Sequence, residues 1–241
     1  ESIMDKDKKE ILGIIGVGFV GNAVAKWFTH KQYIVKSYDK YKNHDSFESL
    51  LETDIIFLCL PTLFSAELRG YDYSAIHETL EKLQNCNYEG TIVIKSTTQP
   101  STIINLHYLY DELNIVHNPE FLTARTSEKD FATQKHIVLG YTENEEQLLT
   151  IKKLYADNFP EATISCCLST ESELMKIFVN SFYAVKVQFF NEMFDLCKKL
   201  GTNYETVVKL MLDNGWINPM HTTVPGPDGK LSYGGACFPK D

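Results

Sequence analysis

Between residues 11 and 168, short runs rich in Ile and Val alternate with longer segments whose apolar positions recur at helical spacing. Parallel strands joined by crossover helices produce that alternation. The pattern predicts strands over Ile11–Gly16, Ile34–Asp39, Asp54–Leu60, Thr91–Lys95, Asn114–His117, Ile137–Gly140 and Thr163–Cys167. Runs such as Ile55-Ile56-Phe57-Leu58 contain no polar alternate, so such strands are expected to be covered on both faces. The fold class is α/β, with a mostly parallel sheet.

After residue 168 the texture changes. Thr170 and Glu173 read as a T-x-x-E capping box, and a helical pattern without Gly or Pro then runs to Leu200 and stops at Gly201. At 1.5 Å per residue, a helix of roughly 30 residues is about 45 Å long. Leu174, Phe178, Phe182, Val185, Phe189, Met193 and Leu196 form an apolar stripe, while Ile177, Tyr183 and Phe190 extend apolar character around the helix. Such a helix needs partners on more than one side. A shorter helix is predicted over Tyr204–Leu212, followed by a Gly- and Pro-rich loop from Asn214 to Gly235. The expected organisation is therefore a tail over 1–10, an α/β domain over 11–168 and a helical domain over 169–241.

The net charge is -9, which disfavours a nucleic-acid groove or an anionic membrane surface as the main partner. No apolar run approaches the ~20 residues that span a bilayer. The six cysteines include no C-x-x-C pair and no zinc-finger spacing, so reduced thiols, a cytoplasmic setting and no metal are expected. Cys166 and Cys167 are adjacent in a strand and point to opposite faces, which reads as packing rather than a bridge.

Gly16-Val17-Gly18-Phe19-Val20-Gly21 lies between the first strand and the first helix, the context in which G-x-G-x-x-G binds a dinucleotide. Gly16 permits the tight turn, Gly18 admits the pyrophosphate close to the backbone, and Gly21 allows helix and strand to approach. The N–H groups of the helix start can hold the anion without a basic cluster. Asp39 ends the second strand, where a carboxylate accepts from the ribose hydroxyls and repels a 2'-phosphate, favouring NAD over NADP. Lys40 and Lys42 work against that preference. The domain over 11–168 is thus expected to be a Rossmann-like, doubly wound NAD-binding domain, in which Pro61 and Thr62 also line the cofactor.

Three further segments carry chemistry: Lys95-Ser96-Thr97 after the fourth strand, Asn118-Pro119-Glu120-Phe121-Leu122 after the fifth, and Gly234-Gly235-Ala236-Cys237-Phe238-Pro239-Lys240-Asp241. The first two lie at strand C-termini, where open α/β sheets bind ligands. Lys176 and Asn180 are four residues apart on the long helix and share a face. With the glycine motif, these residues resemble the UDP-glucose/GDP-mannose dehydrogenase family over essentially the whole chain after residue 10, nearest to its UDP-glucose-oxidising branch.

The resemblance implies an NAD-dependent oxidation of a nucleotide sugar at C6, from UDP-glucose to UDP-glucuronate, by way of the aldehyde. Cys237 matches the family nucleophile, whose thiolate adds to the aldehyde; the thiohemiacetal gives up the second hydride, and the thioester is hydrolysed. Lys176 would be a base or electrostatic stabiliser, Asn180 an oxyanion donor, and Glu120 the residue acting on water. Thr97, which also contacts the cofactor, would help hold that water, and Asp241 would sit behind it or behind Lys176. Glu120, Phe121, Leu122, Lys176, Asn180 and Gly234 would line the sugar, and the long helix would make a homodimer. Each residue taken singly has a plainer reading: an inert thiol, a solvated helix face, a capping carboxylate.

The chain departs from the family where Ala124, followed by Arg125, stands at a usual Glu, and where Trp216-Ile217-Asn218 replaces Arg-Ile-Gly. His221 and Val224-Pro225-Gly226-Pro227-Asp228-Gly229 match a longer loop found in part of the family. The sequence stops at Asp241, short of the place of the family's C-terminal nucleotide-binding domain, so a truncated piece or one part of a longer protein, able to bind NAD but weak or inactive in turnover, is expected. The alternatives are a GDP-mannose or UDP-N-acetylhexosamine 6-dehydrogenase, a 6-phosphogluconate or hydroxyacid type dehydrogenase that needs no Cys237, and a non-catalytic NAD-binding dimerisation module.

Overall fold

A computed structural model describes residues 9–235 and 237–241. Most of the expected N-terminal tail, residues 1–8, lies outside the described residues. The chain divides into two compact units, one ending at Leu174 and one spanning Met175–Asp241.

The first unit is built on β1 (Leu12–Ile15), β2 (Val35–Tyr38), β3 (Ile55–Leu58), a small hairpin of β4 (Phe64–Ser65) and β5 (Gly70–Tyr71), β6 (Thr91–Ile94), β7 (Asn114–His117), β8 (His136–Tyr141) and β9 (Thr163–Leu168). Between them run α1 (Phe19–His30), α2 (Ser74–Asn85), α3 (Thr102–Leu109), α4 (Ser127–Ala132) and α5 (Leu149–Asn158). The main sheet has seven strands in the order β2-β1-β3-β6-β7-β8-β9. Its neighbours pair in parallel, except that β8 meets β7 antiparallel through His117 and Gly140, so the last two strands run against the first five. The chain reverses its direction of travel across the sheet between β1 and β3, which opens a crevice at their C-terminal ends.

Alternation within β3 explains its unbroken apolar run. Ile55 and Phe57 join Leu12, Ile14, Phe28 and Tyr155 in one core layer, while Ile56 and Leu58 join Leu80, Ile92 and Ile103 in the other. Both faces are buried, and all four side chains are inaccessible. Truncating Phe57 to Ala would cost about 3–5 kcal/mol.

The division between units falls within the long helix α6 (Ser169–Lys199), which is 31 residues long. Its start corrects one expectation: Thr170 and Glu173 do not form the capping box, because the helix already begins at Ser169. The N–H of Leu168 instead donates to Glu171 Oε2 at 2.8 Å. Glu173 caps a different helix. Its Oε1 accepts from Thr98 Oγ1 and the Ile103 N–H, and its Oε2 accepts from the Ser101 N–H, at 2.8–2.9 Å. A fully buried carboxylate facing the open N-terminus of α3 finds three donors there, more than its own helix offers.

In the second unit, Gly201, at φ +66°, follows α6, and α7 (Tyr204–Leu212) follows behind an Asn203 cap that accepts the Thr206 N–H at 2.7 Å. Phe190, Cys197, Tyr204, Val208 and Val224 form its core. Phe178, Phe182, Val185, Phe189 and Leu196 of the predicted stripe are each more than half exposed.

Candidate active site

The glycine turn opens the first unit's crevice. Gly16 has φ +88°, and a Cβ there would lie 2.6 Å from the Cys59 carbonyl oxygen, so only glycine fits between the turns after β1 and β3. A Cβ on Gly21 would lie 2.0 Å from the Gly16 carbonyl oxygen. Gly18 differs: nothing stands within 4 Å of the added Cβ, and it precedes α1 without a side-chain cap. Phe19 and Val20 form the first turn of that helix. The arrangement leaves an open, uncapped helix N-terminus beside bare backbone, which fits a pyrophosphate.

Asp39 closes the other side. Its Oδ2 accepts the Val17 N–H at 2.8 Å and its Oδ1 the Tyr41 N–H at 3.0 Å. Burial alone would raise its pKa, but these two N–H groups, with Lys42 and His44 nearby, outweigh it and hold the carboxyl below its usual value. Lys42 Nζ lies 4.0 Å from Asp39 Oδ2, and Lys40 pairs with Glu78 at 2.9 Å. An ionised acid at the end of β2 is suited to ribose hydroxyls.

The loops after β3 and β6 are tied together. Thr62 Oγ1 donates to the Thr97 carbonyl at 2.7 Å, and Ser96 Oγ to the Leu60 carbonyl at 2.5 Å. Thr62 is buried, whereas Pro61 is exposed. Under this layer, Lys95 is 3% exposed and donates to Asn118 Oδ1 at 2.8 Å. The Tyr155 hydroxyl donates to the same oxygen at 2.5 Å, and Asn118 Nδ2 donates to the Val138 carbonyl at 2.9 Å. This hub holds the base of the 118–122 loop. Lys95 and Asn118 were named by sequence only as motif letters; their burial arises from strands that pair across the sheet. On that loop, Glu120 is half-buried and its Oε2 accepts the Leu122 N–H at 2.5 Å. Phe121 is exposed, and Leu122 packs on the core. Ala124 and Arg125 are both exposed.

In the second unit, Lys176 and Asn180 are each 5% exposed on one face of α6. Asn180 Nδ2 donates to Asp241 Oδ2 at 2.6 Å, and Lys240 Nζ pairs with Asp241 Oδ1 at 2.8 Å. The Cys237 carbonyl accepts the N–H groups of Lys240 and Asp241 at 3.0 and 2.9 Å, so the thiol sits on a tight turn whose end is bonded to α6. Gly234 and Trp216 are both exposed. All six cysteines are thiols, and no metal-holding group of His, Cys, Asp and Glu occurs among the described residues.

A Rossmann-like sheet with an open glycine turn, joined to a long helix and a cysteine turn, defines a dehydrogenase class. The model of the UDP-glucose/GDP-mannose dehydrogenase family NAD binding domain matches residues 35–158, and that of the family's central domain matches residues 170–241. The chain belongs to the UDP-glucose/GDP-mannose dehydrogenase family. It is 36% identical over 201 residues to a UDP-glucose 6-dehydrogenase from Rickettsia conorii and 33% identical over 203 residues to that from Rickettsia bellii. Each match covers 80% of this chain but 44% of the relative. A solved UDP-glucose dehydrogenase from Pyrobaculum islandicum shares the fold, with a TM-score of 0.84 at 22% identity, over 100% of this chain and 64% of that one.

Proposed function

We propose that the protein acts in the NAD-dependent oxidation of a nucleotide sugar at C6, with UDP-glucose as substrate and UDP-glucuronate as product. The observation that carries this reading is the Asn180–Asp241 bond, which ties the Cys237 turn to the helix face bearing Lys176. The likeness to UDP-glucose 6-dehydrogenases supports the choice of sugar.

Gly16, Gly18, Phe19, Val20, Gly21, Asp39, Pro61, Thr62 and Thr97 would hold NAD. When bound, NAD supplies the hydride acceptor for both oxidations. Lys176 takes up the proton of the C6 hydroxyl as the hydride leaves and, so charged, stabilises the oxyanion formed later, its burial strengthening that interaction. The Cys237 thiolate then attacks the aldehyde carbon, forming a C–S bond and an alkoxide at the former carbonyl oxygen. Asn180 donates its second Nδ2–H to that oxygen, the first being held by Asp241. After the second oxidation, water adds to the thioester carbonyl with Glu120 accepting its proton and Thr97 holding it, and the thiolate leaves as carboxylate forms. Phe121, Leu122 and Gly234 line the sugar.

Incubating the chain with UDP-glucose and NAD and mapping adducts by peptide mass spectrometry tests the scheme. A sugar adduct on Cys237 that disappears in Cys237→Ser is expected; NADH formation from UDP-glucose in Cys237→Ser at two per sugar would sink it.

We also propose a homodimer assembled through α6, supported by its exposed apolar stripe. The six cysteines without a disulfide favour a cytoplasmic setting. No helix among the described residues is long and apolar enough to cross a membrane.

A further inference from the structure

One face of α6 meets the segment that leads to and through the cysteine turn at successive heights. Asn180 bonds Asp241 at 2.6 Å. One turn on, the Tyr183 ring lies against His221 with centroids 4.5 Å apart. His221 meets Phe238, the neighbour of Cys237, at 5.6 Å in an edge-on arrangement, and Tyr183 itself reaches Phe238 at 6.3 Å. Further along, the Ser232 N–H donates to Asn191 Oδ1 at 2.7 Å and Ser232 Oγ to Gln188 Oε1 at 2.9 Å. The middle contact is unlike the others. It is aromatic rather than polar; His221 at φ +67°, like Ser232 at φ +66°, holds a backbone that non-glycine residues rarely adopt. The His221 Nδ1 is buried without a hydrogen-bond partner, so hydrogen bonding through that nitrogen does not explain the ring's place.

We infer that Tyr183, His221 and Phe238 form an aromatic clasp that sets the orientation of the Cys237 turn on α6, with His221 as a positioning residue for the thiol. Offset and edge-on ring pairs favour particular geometries, which a packed apolar side chain would not impose. Phe238 follows Cys237 directly, so the ring pair restricts the backbone that carries the sulfur. Asp241 anchors the far end of the same turn. Without the clasp, the turn keeps its Asp241 tether but loses the ring contacts beside the thiol. The catalytic meaning of the clasp rests on the reading of Cys237 as the nucleophile; its geometric effect does not.

The test is the rate of iodoacetamide alkylation of each cysteine in the full chain, followed by peptide mass spectrometry. In His221→Ala, Cys237 is expected to react at least about fivefold faster than in the unaltered chain, because local opening exposes the thiol. Cys197, buried in the core of the same unit, reports whether the unit stays folded, and its rate is expected not to change. His221→Phe keeps a flat ring and is expected to restore the slow Cys237 rate, whereas Tyr183→Leu is expected to match His221→Ala. Equal Cys237 rates in His221→Ala and the unaltered chain would overturn the clasp. So would a parallel rise at Cys197, which would make His221 a general stabiliser, or a failure of Phe to rescue. A Cys237→Ser chain that still completes both oxidations would remove the nucleophile and leave the clasp standing.

Discussion

Gly18 and Gly21 stand three residues apart and answer to different constraints. The space around Gly18 is open, so Gly18→Ala is expected to leave stability nearly unchanged yet weaken NAD binding about tenfold, or about 1.4 kcal/mol, by filling the approach to the backbone. Gly21→Ala places a methyl on the Gly16 carbonyl and is expected to lose stability and binding together, by about 1–3 kcal/mol in urea unfolding. Calorimetric titration with NAD separates the two. Glu173→Gln keeps one acceptor oxygen but turns an amide N–H toward the Ser101 N–H, and should destabilise the chain by about 1–3 kcal/mol. His221 carries a pH prediction. Burial, and secondarily Lys186, lower its pKa from 6.5, so its folded value lies below its unfolded one. The stability tied to the neutral ring is present above pH 6.5 and is lost as pH falls through the lower folded value. The melting temperature of the unaltered chain should therefore fall relative to His221→Phe on acidification from pH 7.5, and a constant gap would contradict this.

Among the elements, α6 shows the widest gap between pattern and placement. Its periodicity announced a helix, and its end before Gly201 needed only a glycine at positive φ. Its apolar stripe, however, is exposed at Phe178, Phe182, Val185, Phe189 and Leu196, and the face bearing Lys176, Asn180 and Asn191 is buried instead. Hydrophobic spacing identifies an apolar face without saying what covers it. If a second copy covers it, Phe182→Glu with Phe189→Glu should convert a dimer to a monomer in sedimentation velocity, with helix content preserved. A monomeric unaltered chain would end that proposal. The β4–β5 hairpin went unforeseen because two-residue strands carry no readable period.

For the chain as a whole, charge and anion binding are decoupled. The net charge is -9, yet the glycine turn offers backbone N–H groups to an anion, with a single lysine, Lys42, at the turn, where it donates to the Val17 carbonyl. NAD affinity should then change by no more than about threefold between low and high salt, since side-chain cations at the surface are what salt screens most. A steep salt dependence would point to a basic site.

The alternation of strands and helices, the double-sided burial of β3 and the glycine turn were legible in the sequence, because side-chain period and backbone sterics are local. The letters of Lys95, Asn118, Glu120, Lys176, Asn180 and Cys237 were legible as well. What the tertiary structure alone decided depends on atoms far apart in the chain. Glu173 left its own helix for donors 70–75 residues earlier. The reversal of β8 and β9 is set by the connection over α4, which no strand pattern encodes. Burial of Lys95 at the side chain of Asn118, and the seating of His221 between Tyr183 and Phe238, exist only once distant segments are folded together. Sequence specifies which groups are available within a turn or a strand; only packing selects their partners, because a desolvated polar group or ring takes the partner that three-dimensional proximity provides.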